Sequence, residues 1–175
     1  MAPQARMLFL PTTFMSQGGC QYRICNLTTN HNLCWSSPIE VEQTEIIQDD
    51  AVEGNLQWAA MPVDNITNLF TIRSEDTGLY AGFSEPASAL TVGTPSIVQV
   101  VEASAAQFYL EDAPPSLPPG GIHFMGQAYK VKEKNSGRYV IPDFRVEGFT
   151  RRIVLGGLNA DKATAWTFTM TLPIG

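Results

Sequence analysis

Catalysis needs groups that can converge, and this chain holds few. Its two histidines are His31, in the turn Asn30-His31-Asn32, and His123, just after a proline-rich stretch. Either could act as a base, yet no Gly-x-Ser-x-Gly elbow presents a serine to it. Gly18-Gly19, Gly120-Gly121 and Gly156-Gly157 stand alone and match no phosphate-cradling pattern. The acidic pairs Asp49-Asp50 and Glu111-Asp112 lie in or beside loops, whereas glycoside hydrolysis needs two carboxylates facing each other across a cleft. Cys20, Cys25 and Cys34 form an odd set with no paired framework, which points to free thiols in a reducing compartment. Cys25 and Cys34 fall on neighbouring strands of one hairpin, so a disulfide between them is also geometrically possible. As metal ligands the cysteines need a fourth partner, and the nearby His31 gives no zinc spacing. The chain therefore reads as a non-enzyme with neither metal nor cofactor.

What remains is recognition. An inhibitor that enters a protease like a substrate needs an exposed, preorganised loop, because such a loop loses little entropy on binding. Ser36-Ser37-Pro38-Ile39-Glu40 has that character, with Ser37, Pro38 and Ile39 as its contact residues. So does Pro142-Asp143-Phe144-Arg145-Val146-Glu147, in which Arg145 suits a trypsin-type specificity pocket; Arg151-Arg152 follow shortly after. The ordinary alternative for each is a solvated loop with unremarkable charges. A sugar site instead needs an aromatic face beside amide side chains; Trp35, which reads either as core or as such a platform, lies near Asn30 and Asn32 and offers that combination. Trp58, Phe108 and Trp166 read as core.

These groups must be held by a scaffold, and composition limits its kind. The chain has 175 residues, enough for one domain, with 44% hydrophobic and 16% charged residues. Its net charge of −6 repels phosphates, which argues against nucleic acid as a partner. No apolar run approaches a bilayer-spanning length. At the N-terminus Pro11 ends the run Met7-Leu8-Phe9-Leu10 after four residues, too short for a signal peptide. A cytoplasmic or non-classically secreted protein is expected, with residues 1–19 as an arm against the barrel. Asn26-Leu27-Thr28 and Asn65-Ile66-Thr67 satisfy the glycosylation pattern and read as chance matches in that setting.

The organisation shows in repetition. Tyr22-Arg23-Ile24, Phe70-Thr71-Ile72 and Tyr129-Lys130-Val131 are each aromatic, polar, β-branched. Each leads to a polar turn, at Asn30-His31-Asn32, Asp76-Thr77-Gly78 and Asn135-Ser136-Gly137, and then to a second short strand. From Ile24 to Trp58, Ile72 to Phe108 and Val131 to Trp166 the interval holds at 34, 36 and 35 residues. Unrelated strands would not keep that register, so the chain is a threefold repeat. Twelve strands in three four-strand units predict an all-β fold, a single β-trefoil domain over 1–175 with repeats at about 20–64, 65–122 and 123–175. The proline-rich segment 112–121 is a connector, because four prolines exclude a central strand.

With these motifs in view, Tyr22-Arg23-Ile24-Cys25-Asn26, Phe70-Thr71-Ile72, Thr77-Gly78-Leu79-Tyr80-Ala81-Gly82-Phe83 and Tyr129-Lys130-Val131 with Ala165-Trp166-Thr167-Phe168 resemble the fungal β-trefoil serine protease inhibitors of the mycospin type. The resemblance spans most of residues 21–170 and extends more weakly to fungal ricin-B-like lectins and mushroom cysteine protease inhibitors. It implies a protease, serine type favoured, or a glycan as partner. The lectins end each unit in Gln-x-Trp; here the endings are Leu56-Gln57-Trp58, Ala106-Gln107-Phe108 and Thr164-Ala165-Trp166. That departure favours the inhibitor. Family members use different loops, so the resemblance carries over no reactive residue.

Overall fold

The computed structural model describes residues 21–26, 34–37, 41–49, 57–63, 68–112, 126–143, 145, 151–158 and 165–171. Among them are twelve strands. The first repeat contributes β1 (Gln21–Asn26), β2 (Cys34–Ser36), β3 (Ile47–Asp49) and β4 (Trp58–Pro62). The second gives β5 (Leu69–Ser74), β6 (Tyr80–Gly82), β7 (Val98–Val100) and β8 (Phe108–Asp112), and the third β9 (Gly126–Glu133), β10 (Val140–Pro142), β11 (Arg151–Leu155) and β12 (Trp166–Thr171). The predicted arm, Cys20, His31, His123, Asn65 and the connector beyond Asp112 lie outside the described residues.

Six strands close a barrel. β1 pairs with β12 and β4, β5 with β4 and β8, and β9 with β8 and β12, all antiparallel. Closure leaves no unpaired edge around the ring. The alternation read from the sequence sets the register: Tyr22 and Ile24, Phe70 and Ile72, Tyr129 and Val131 point into the core. Trp58, Phe108 and Trp166 join them there, fully buried. The remaining strands form three hairpins, β2–β3, β6–β7 and β10–β11, that cap one end. This is the predicted β-trefoil.

The cap is joined on the pseudo-threefold axis by a cycle of backbone hydrogen bonds. Ile46 N donates to Ile97 O (3.0 Å), Ile97 N to Ile153 O (2.8 Å), and Ile153 N to Ile46 O (3.4 Å). All three isoleucines are fully buried, so each amide needs such an acceptor. A recurring bond within each repeat shows how the repeats adapt. Trp58 Nε1 donates to Trp35 O at 3.0 Å and Trp166 Nε1 to Val140 O at 2.9 Å. Phe108 has no such donor, and in its repeat Ala106 N donates to Ala81 O instead, at 3.0 Å.

The described turns between first and second strands, in the second and third repeats, share one construction. Gly78 and Gly137 adopt φ of +75° and +71°, the left-handed region that glycine enters without strain. Their amides return to Ser74 O and Glu133 O. The buried side chains at those strand ends cap the turns, Ser74 Oγ accepting from Thr77 N and Glu133 carboxylate oxygens accepting from Asn135 N and Ser136 N. β10 runs through Pro142. Proline is accommodated because its neighbour Asp143 N makes the hydrogen bond to Arg152 O, which leaves Pro142 at a position where the ladder needs no donor.

Candidate functional site

The β10–β11 hairpin carries the most organised charged cluster near the axis. Asp143 follows directly on β10, with its side chain only 2% exposed. Arg145 Nε donates to Asp143 Oδ1 at 2.9 Å and its Nη2 to Oδ2 at 3.0 Å, a bidentate contact. The Arg145 backbone amide also donates to Oδ1, at 3.2 Å, so one carboxylate fixes both main chain and side chain. Arg145 itself is 61% exposed. From β11, Arg152 Nη2 donates to Asp143 Oδ2 at 2.9 Å. These hydrogen bonds, led by that from the Arg145 side chain, hold the Asp143 carboxyl far below the usual carboxylate range despite the opposing effect of burial.

Arg152 reaches all three repeats. Besides Asp143 in its own repeat, its Nη1 donates to Ser96 Oγ of the second (3.3 Å) and lies 3.7 Å from Glu45 Oε1 of the first. Glu45, Ser96 and Arg152 each precede one isoleucine of the axial cycle, which is why the trefoil brings them together. Arg151 and Arg152, read from the sequence only as following the Arg145 loop, lie at the start of β11. Asp143 as the partner of Arg145, and Arg152 as the second cation on Asp143, were missed. Aligning the residues before Ile46, Ile97 and Ile153 would have exposed the second.

Other expected site residues are placed differently. Ser37 is fully buried, and its Oγ lies 3.0 Å from Ser74 Oγ, so it tethers the first repeat to the second rather than facing a protease. Pro38 and Ile39 lie outside the described residues. Trp35 is 0% exposed and packs edge-on against Trp58 and Trp166, with both centroid separations 5.7 Å. It offers no face to a sugar, which removes the aromatic from the glycan alternative; Asn30 and Asn32 lie outside the described residues. Asn26 is buried and donates from Nδ2 to Gln48 Oε1 at 2.9 Å, closed to glycan attachment.

The free-thiol expectation is corrected for two cysteines, since Cys25 and Cys34 form a disulfide across β1 and β2. An odd total hid a hairpin pair that strand register brings face to face. Equivalent cross-strand pairs in the other repeats are Arg73 with Tyr80 and Lys132 with Tyr139. In the third, Lys132 Nζ sits 6.0 Å from the Tyr139 ring centroid and the phenol donates to Glu111 Oε1. Burial, then Glu111, pushes the Tyr139 phenol up to about 12. A phenol raised above its unfolded value of about 10 stabilises the fold fully below that pH and stops doing so as pH rises through 12. Thermal melts of wild type should therefore fall between pH 10 and 12, and those of Tyr139→Phe should fall less; parallel curves would refute this.

No protein-family model and no curated protein matches the chain. Solved structures do. A designed threefold-symmetric protein, ThreeFoil, superposes with a TM-score of 0.63 at 14% identity, covering 85% of this chain and 97% of its own. A mosquitocidal holotoxin gives 0.67 at 14% identity, covering 87% of this chain and 17% of the toxin. An exo-β-1,3-galactanase from Clostridium thermocellum gives 0.63 at 12% identity, covering 87% and 30%. This chain thus spans a small part of the toxin and of the galactanase. At such identities the likeness establishes the β-trefoil fold.

Proposed function

We propose that this β-trefoil inhibits a serine protease of tryptic specificity by presenting Arg145 to the enzyme's acidic pocket. The observation that supports this reading is an exposed guanidinium on a backbone clamped from beneath by a buried carboxylate. Arginine matches a carboxylate at the base of a pocket by the same two-pronged geometry it already uses with Asp143. Clamping the main chain lowers the entropy lost on docking. The fungal inhibitor resemblance of the first-strand and turn motifs agrees with this reading.

The test is residual activity of trypsin, chymotrypsin, subtilisin and papain titrated with the purified protein. Tight inhibition of trypsin is expected. Arg145→Ala should weaken it at least about 100-fold, in line with loss of a central arginine anchor, while Arg145→Lys retains most of it and Tm changes little. Silence toward all four proteases at micromolar concentration would overturn the reading. Full inhibition by Arg145→Ala would move the site to another loop.

A further inference from the structure

Docking Arg145 into a protease pocket removes it from Asp143, and a buried carboxylate left alone is strongly disfavoured. With Arg145 in place the side chain of Asp143 is 2% exposed, so its carboxylate depends on protein donors and needs a second cation when that guanidinium leaves. Arg152 meets this need. Its Nη2 already donates to Oδ2 at 2.9 Å, the oxygen that Arg145 Nη2 also uses. Arg152 is itself fixed, by the β11 ladder, by Ser96 Oγ and by Glu45.

We infer that Arg152 is the positioning residue of this site: it keeps Asp143 paired and in place while Arg145 turns outward to a protease. The inference rests on the inhibitor reading for its purpose, and on the three-residue geometry for its substance. Asp143 is shared between a fixed cation and a releasable one. Arg145 leaves without stranding a charge, and the Asp143 backbone, hydrogen-bonded to Arg152 O, keeps the loop's base in register. Glu45 is the other carboxylate facing Arg152 and tempers its charge without competing for Nη2.

Two measurements test this. In the first, trypsin inhibition is compared for wild type, Arg152→Gln and Arg152→Lys. The glutamine variant, with Arg145 intact, should inhibit about 10- to 100-fold more weakly, and lysine should recover part of the loss. In the second, the Asp143 carboxyl is titrated by carbon NMR in Arg145→Ala and in Arg145→Ala/Arg152→Gln. With Arg152 present the carboxyl should stay below the ordinary range. With both arginines gone it should rise clearly above its value in the single variant, and Tm should fall beyond that of the single variant. If wild type inhibits no protease, the inhibitor reading fails while the titration still decides the role of Arg152. Identical Asp143 titration in the single and double variants overturns the inference, as does wild-type inhibition by Arg152→Gln.

Discussion

Replacing Arg138 by alanine is expected to cost about 4 kcal/mol, a fall in Tm of roughly 8–16 °C for a chain of this size. Arg138 is 9% exposed and is surrounded by carbonyls. Its Nε donates to Gly156 O, its Nη1 to Leu90 O (2.9 Å) and Val92 O (3.4 Å), and its Nη2 to Gly93 O and Leu155 O (3.2 Å). The guanidinium thereby ties the β6–β7 loop to the end of β11. Burial lowers its pKa, yet it remains protonated at any ordinary pH. Alanine would leave these acceptors without a donor, and hydrogen bonds to charged groups are the stronger kind. Lysine carries one compact ammonium and cannot reach both segments at once, so Arg138→Lys should recover less than half of the loss. Hydrogen exchange should quicken across residues 90–93 in both variants. A melting temperature for Arg138→Ala within about 2 °C of wild type would refute this account.

Trp35→Ala should be comparably damaging, at about 3–5 kcal/mol for a large aromatic removed from a close-packed core. The indole fills the space between Trp58 and Trp166, where the second and third repeats place only Ala81 and Val140. The hydrogen bond from Trp58 Nε1 goes to the backbone carbonyl of residue 35 and survives the substitution. The loss therefore reports packing, and Trp35→Phe should fall between the two. This experiment also separates core from platform. A sugar-stacking tryptophan would lose glycan binding on truncation and leave the melt unchanged; a core tryptophan shows the reverse.

The fate of Trp35 illustrates what a sequence of this kind reveals. The barrel strands were legible because the aromatic–polar–β-branched triplets recur at nearly constant spacing from the closing aromatics. The cap strands are three to five residues long, too short to show which face turns inward, and their burial depends on neighbours from other repeats. Ser37 read as exposed, and Trp35 as either core or platform, for that reason. The clamp on Arg145 was hidden similarly: Asp143 is two residues away, but Arg152 becomes its partner only when β11 pairs beside β10. Disulfide pairing of Cys25 with Cys34 needed the register of β1 on β2, which a count of cysteines does not contain.

The axial cycle of Ile46, Ile97 and Ile153 bears on how the chain reaches this state. Every third of the molecule borrows an acceptor from another, so no single repeat satisfies its own axial isoleucine amide. The barrel, too, is sealed by the first strand against the last, where Thr167 Oγ1 donates to Cys25 O across 142 residues. Such long-range closure makes folding slow and all-or-none. On a ribosome the repeats would wait, unsealed, until the final strand emerged.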